Sequence, residues 1–168
     1  MAMHTLNAPA INAQAFAPYG WLIDASSQVG QAINGGSSLR IDGLTDLAFD
    51  AEGGKPCMAL FKAAARDPAG PWTELERHCL GTQTFIPLNG VRYVVLVAVG
   101  DAVPDTSTLK AFVVSGHQGI TLRAGTWHHG LLALNDGDFV VLERNADAVD
   151  CELAQLPVAV SITLGLMP

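Results

Sequence analysis

Apolar positions in this chain fall in short runs, many of them alternating, and not at helical spacing. Ten stretches carry this β character: Gly20–Asp24, Cys57–Ala63, Trp72–Cys79, Thr82–Pro87, Arg92–Val99, Leu109–Ser115, Gly119–Leu122, His129–Leu134, Asp138–Glu143 and Ala159–Leu164. Turn signals separate them, among them Pro68-Ala-Gly-Pro71, Asn89-Gly90 and Asn135-Asp-Gly137. Many short strands at such spacing predict an all-β sandwich or barrel. Tyr93-Val-Val-Leu-Val-Ala-Val99 is apolar at every position, which predicts a central strand buried on both faces. Asn12–Ala17 could form one or two helical turns before Pro18, so helix should be a minor component. Residues 25–38, rich in Ser, Gln and Gly, read as a long mobile loop.

Composition narrows the class. With 168 residues, 49% of them hydrophobic and 15% charged, the chain suits one domain, 1–168, with a large core. A net charge of −7 with only nine Lys and Arg, and no basic run, argues against nucleic acid as a partner. The longest apolar run is too short to span a membrane, and the N-terminus lacks the pattern of a secretory signal. Cys57, Cys79 and Cys151 are odd in number and far apart, which reads as reduced thiols in a cytoplasmic protein.

Candidate chemistry concentrates in two places. In the run from Trp72 to His78, strand alternation puts Trp72, Glu74, Glu76 and His78 on one face. Gly81 permits a bend, and Gln83 follows in the next strand. Turned into a barrel, Glu76, His78 and Gln83 would converge; on an edge strand the same residues would be an ordinary solvated face. The second place is Gly125-Thr-Trp-His-His-Gly130. Adjacent histidines in a strand point to opposite faces, so one can join a shared site; His128 is expected inward and His129 at the rim.

The spacing Glu76-x-His78-(four residues)-Gln83-(six residues)-Gly90 resembles the first motif of the cupin superfamily, with Glu for its first His and Gln for its Glu. Gly125-x-x-His128 resembles the second, although Arg123 stands where that motif carries Pro. The wider sequence is more specific. Glu74 to Pro87, Val94 to Asp101, Pro104 to Phe112, Gln118-Gly119 and Thr126 to His129 closely resemble bacterial ureidoglycolate lyases. The resemblance covers roughly residues 10 to 165. It implies a cupin-type β-barrel (double-stranded β-helix, jelly roll) and a cytoplasmic homodimer. It also implies cleavage of ureidoglycolate to glyoxylate and urea in allantoin (purine) degradation, with nickel as the associated divalent metal.

Ureidoglycolate carries a hydroxyl and a ureido nitrogen on one carbon. Its cleavage needs a base for the hydroxyl proton and an acid for the departing nitrogen, roles that Glu76, His78 and His128 can fill. A metal held by Glu76, His78, Gln83 and His128 would supply positive charge to the substrate carboxylate, Gln being a weaker ligand than Glu. Lys110 and Arg40 are the other cationic candidates. Each also reads as an ordinary surface residue, Lys110 with its stem lying over apolar neighbours. Asn34, in a segment that resembles the family's Asn-Gly loop, Arg40, Gln83 and Trp127 are candidate substrate contacts. A metal-dependent cupin dioxygenase or isomerase, or a non-catalytic ligand-binding cupin, would use similar spacings. Oxygen consumption separates the first from a lyase, and binding without turnover identifies the second.

Overall fold

The computed structural model describes residues 2–26 and 28–165. It is an all-β barrel formed by two facing sheets. The strands are β1 (His4–Ala8), β2 (Gly20–Ile23), β3 (Gln31–Ile33), β4 (Ser38–Arg40), β5 (Lys55–Ala63), β6 (Trp72–Arg77), β7 (Gln83–Pro87), β8 (Tyr93–Ala98), β9 (Lys110–Val114), β10 (Gly119–Leu122), β11 (Trp127–His128), β12 (Leu132–Ala133), β13 (Gly137–Asn145) and β14 (Glu152–Leu164). One sheet runs β1-β14-β6-β11-β8-β12 with β9 also on β8; the other runs β2-β10-β7-β13-β5. The one α-helix among the described residues, Ala13–Phe16, is capped by Asn12, whose side chain accepts from the Ala15 N–H at 2.9 Å. It buries Phe16 against the ring of Phe112.

Strand β8 explains the two-sided core. Tyr93, Val95 and Val97 face the second sheet and join Phe85, Phe112 and Phe139 in one cluster. Val94, Leu96 and Ala98 face the opposite way and meet Trp127, Leu75 and Ile162 in another. The second cluster exists because β14 is long enough to reach past β6 and pair in parallel with β1, whose Leu6 and Ala8 help cover this outer side.

Several sequence expectations need correction. Residues 25–38 are not one loop: β3 and β4 form a hairpin around Asn34, with Asn34 and Gly35 at positive φ (Ser27 lies outside the described residues). His129–Leu134 is not one strand. β11 ends at His128, and Gly130 follows before β12 begins. Alternation fails at the start of β6, where Trp72 and Leu75 bury in the same cluster. A register shift in β14 between Gln155 and Val160 rotates that end of the pair. The Asn89-Gly90 turn is present as expected, at φ 56° and 68°, and carries the chain from one sheet to the other.

Candidate functional site

Glu76 on β6 lies directly opposite His128 on β11. Directly paired residues point to the same face, so both side chains enter the barrel. His128 Nε2 stands 3.4 Å from Glu76 Oε1, and His78 Nε2 stands 4.0 Å from the same oxygen. The imidazole rings of His78 and His128 are 5.3 Å apart. One ligand-capable atom from each of Glu76, His78 and His128 lies within 4.8 Å of the other two. Gly125 helps to bring the segments together. At φ 84° it turns the chain, and its N–H donates to the His78 carbonyl at 2.7 Å.

Both histidines are held in one tautomer. His78 Nδ1 lies 2.7 Å from the Asp150 carbonyl oxygen, and His128 Nδ1 lies 3.0 Å from that of Thr126. A carbonyl only accepts, so each Nδ1 carries a proton and each Nε2 is the ring atom turned towards the site. Both Nε2 atoms are buried without a hydrogen-bond partner, and so is Gln83 Oε1. Two imidazole nitrogens therefore face a carboxylate, an arrangement that a proton or a cation between them stabilises. Contact with His128 holds the Glu76 carboxyl below the ordinary carboxylate range against the opposing effect of burial; the charges of His128 and His78 and the Cys151 thiol act in the same direction.

Gln83 is buried, and its Nε2 donates to Glu143 Oε2 at 2.9 Å. With His78 they line a cavity of about 200 Å³, whose wall also includes Asp150 and Cys151. Asp150 also ties the loop after β6: its carboxylate accepts the N–H groups of Cys79 and Leu80 at 2.9 and 2.7 Å. Sequence reasoning missed Glu143 and Asp150. Glu143 alternates with inward-facing Val141, a signal the pattern did carry. Asp150 sits in a loop with no periodicity to mark it.

The remaining candidates are placed elsewhere. Lys110 is exposed but shares the row of the site: Glu76 pairs with His128, His128 with Val97, and Val97 with Lys110. Arg40 is exposed on the β3–β4 hairpin and paired with Asp42 at 2.9 Å; Asn34 caps the same hairpin. Trp127 is buried in the outer cluster, on the sheet face away from His128, with the Arg77 guanidinium 4.6 Å above its ring. His129 packs edge-on against Trp72 at 4.7 Å. Arg123 stacks on Trp21 at 4.0 Å.

A β-barrel that gathers two imidazole nitrogens and a carboxylate beside a small cavity lined by an amide has the makings of an enzyme acting on a small polar molecule. Comparison with known proteins gives the family. The chain belongs to the ureidoglycolate lyase family, which matches residues 3–163. It is 38% identical over 163 residues to a ureidoglycolate lyase of Burkholderia mallei, covering 96% of this chain and 95% of that one. It is 34% identical to one of Pseudomonas fluorescens, covering 89% and 90%. Against one of Azotobacter vinelandii it is 33% identical, covering 89% and 91%.

Proposed function

We propose that the protein cleaves ureidoglycolate to glyoxylate and urea. The observation that carries this reading is the meeting of His78 Nε2, His128 Nε2 and the ionised Glu76 carboxylate within 4.8 Å of one another, at the edge of the cavity that His78 lines. The reaction removes the hydroxyl proton, forms the aldehyde carbonyl and breaks the carbon–nitrogen bond as the urea nitrogen gains a proton. No protein nucleophile takes part. His128 Nε2 is poised to accept the hydroxyl proton, and Glu76 at 3.4 Å stabilises the imidazolium that results. The same imidazolium can return the proton to the departing nitrogen. The Asp150 and Thr126 carbonyls keep both rings in the competent tautomer throughout.

The same three residues suit a divalent metal, with Nε2 of each histidine and a Glu76 oxygen as donors and Gln83 lining the cavity that His78 also lines. Such an ion, nickel in our reading, would acidify a bound hydroxyl and offset the substrate carboxylate. Lys110 is a candidate to attract that carboxylate, from the row it shares with His128. The site's origin on separate strands, at the spacings noted above, supports a cupin-type barrel. We further read the protein as a cytoplasmic homodimer serving allantoin degradation. Support for the dimer is the outer face of the second sheet, where Met58 and Leu60 on edge strand β5 are 72% and 64% exposed. Light scattering of Leu60→Asp tests this: a parent dimer is expected to weaken, and a monomeric parent refutes it.

Incubation with ureidoglycolate tests the activity. Glyoxylate and urea should appear in equal amounts, anaerobically, without ammonia. Ammonia rising in step with glyoxylate would mean amidohydrolase chemistry, and oxygen uptake would mean a dioxygenase. Repeating the assay with a chelator separates the metal-assisted route from the imidazole relay.

A further inference from the structure

Gln83 presents a polar atom that the fold has aimed with some care. Its side chain is 5% exposed, and its Oε1 has no hydrogen-bond partner. The direction of that oxygen is set by Glu143. Leu142 on β13 pairs with Thr84 on β7, so the next residues, Glu143 and Gln83, stand opposite each other on the inner face. An ionised carboxylate only accepts hydrogen bonds, so the Gln83 nitrogen must face Glu143, as the 2.9 Å contact has it. The oxygen is thereby turned away from Glu143. Without Glu143 the amide could rotate by half a turn and offer two N–H donors in the oxygen's place.

We propose that Glu143 is a positioning residue that fixes Gln83 Oε1 as the acceptor for an N–H of the ureido group. The assignment rests on the lyase reading above and adds an orientation to it. Of the two ends of ureidoglycolate, the carboxylate offers only acceptors and would be repelled by a second acceptor. The ureido end offers N–H donors and matches it. His78 lines the same cavity, and His128 and Glu76 stand beside it, so an N–H held at Gln83 would bring the carbon–nitrogen bond towards the imidazoles.

The test compares two inhibitors. Oxalurate keeps the ureido group and the carboxylate but has a carbonyl in place of the hydroxyl-bearing carbon, so it cannot undergo the elimination. Glyoxylate lacks the ureido group. In Glu143→Ala, oxalurate inhibition should weaken by about tenfold, the worth of one misdirected hydrogen bond, and glyoxylate inhibition by less than about twofold on the same scale. The double variant Gln83→Glu/Glu143→Gln reverses the pair, with the new amide donating to the new carboxylate and an oxygen still facing the cavity. It should recover most of the oxalurate affinity, and it carries the test if Glu143→Ala fails to fold. Equal weakening of both inhibitors would overturn the proposal. So would loss of bound metal from Glu143→Ala, which would make Gln83 a metal ligand. A parent enzyme that binds oxalurate but does not split ureidoglycolate would sink the lyase reading and leave the acceptor assignment standing.

Discussion

Replacing Asp150 should damage stability and activity together. Its carboxylate accepts two backbone N–H groups, from Cys79 and Leu80, and its own carbonyl receives the Nδ1 proton of His78. Asp150→Ala removes the first two contacts directly and loosens the third by releasing the loop that holds residue 150 in place. Hydrogen bonds to a charged acceptor contribute about 1.5–3 kcal/mol each. Cys79 is exposed, so its N–H regains water and most of that value is lost. Leu80 is half-buried and regains less. The net cost is therefore about 2 kcal/mol, or a melting-temperature drop of about 4–8 °C for a chain of this size. Freeing the His78 ring should lower kcat/KM by about 10- to 100-fold, as loss of a partner that orients a site histidine does. Urea denaturation gives the first number and initial rates of glyoxylate release the second. A stable variant with unaltered kinetics would refute the idea that this loop orients His78. Lost stability with normal turnover would show that the carbonyl holds its place without the carboxylate.

The same assay should separate the histidines: His78→Ala and His128→Ala are each expected to lose about 10²–10⁴-fold in rate. His129→Ala should keep most activity, since its ring packs on Trp72 and leaves His128 undisturbed; the opposite ranking would mean a strand register wrong by one residue. Lys110→Ala should raise KM about tenfold with little change in kcat, whereas an unchanged KM would return Lys110 to the solvated surface. Burial raises the phenols of Tyr19 and Tyr93 above the ordinary 10.0, that of Tyr93 far above it. Unfolded tyrosines ionise at that ordinary value, so the folded state loses stability as pH rises past it. Tyrosinate absorbance should therefore rise together with loss of the β-sheet circular dichroism signal, and a reversible rise with the fold intact would contradict the burial argument.

The fold was legible where the physics is local. Alternating runs and turn residues located most strands, and the unbroken apolar run at Tyr93 marked the strand between two clusters. Spacing brought Glu76, His78 and His128 together correctly, because alternation decides which of two adjacent histidines faces inward. What escaped depends on distant partners. Strand β1 is only half-buried and is a strand because β14 pairs with it. Trp72 buries beside Leu75 because β14 shifts register, and nothing in residues 72–78 announces that. Trp127 is a candidate substrate contact in the sequence because it adjoins His128, yet adjacent strand positions face apart, and its ring belongs to the outer core.

Strand β11 is two residues long, yet it is the sole link in the path between β6 and β8. The seven-stranded sheet is thus stitched at its middle by Trp127 and His128, one gripping the outer core and the other forming the site, helped by the flanking His129 and Gly125 N–H groups, which donate to the carbonyls of Leu96 and His78. Such a seam is where a sheet breathes first, because few ladder bonds must break to part its halves. Each opening would withdraw His128 from Glu76 and dissolve the site without unfolding the barrel. Anything that settles a positive charge between those two groups would close the seam from within. Slower amide exchange at His128 when the site is filled would register that coupling, and unchanged exchange would mean the stitch holds without help.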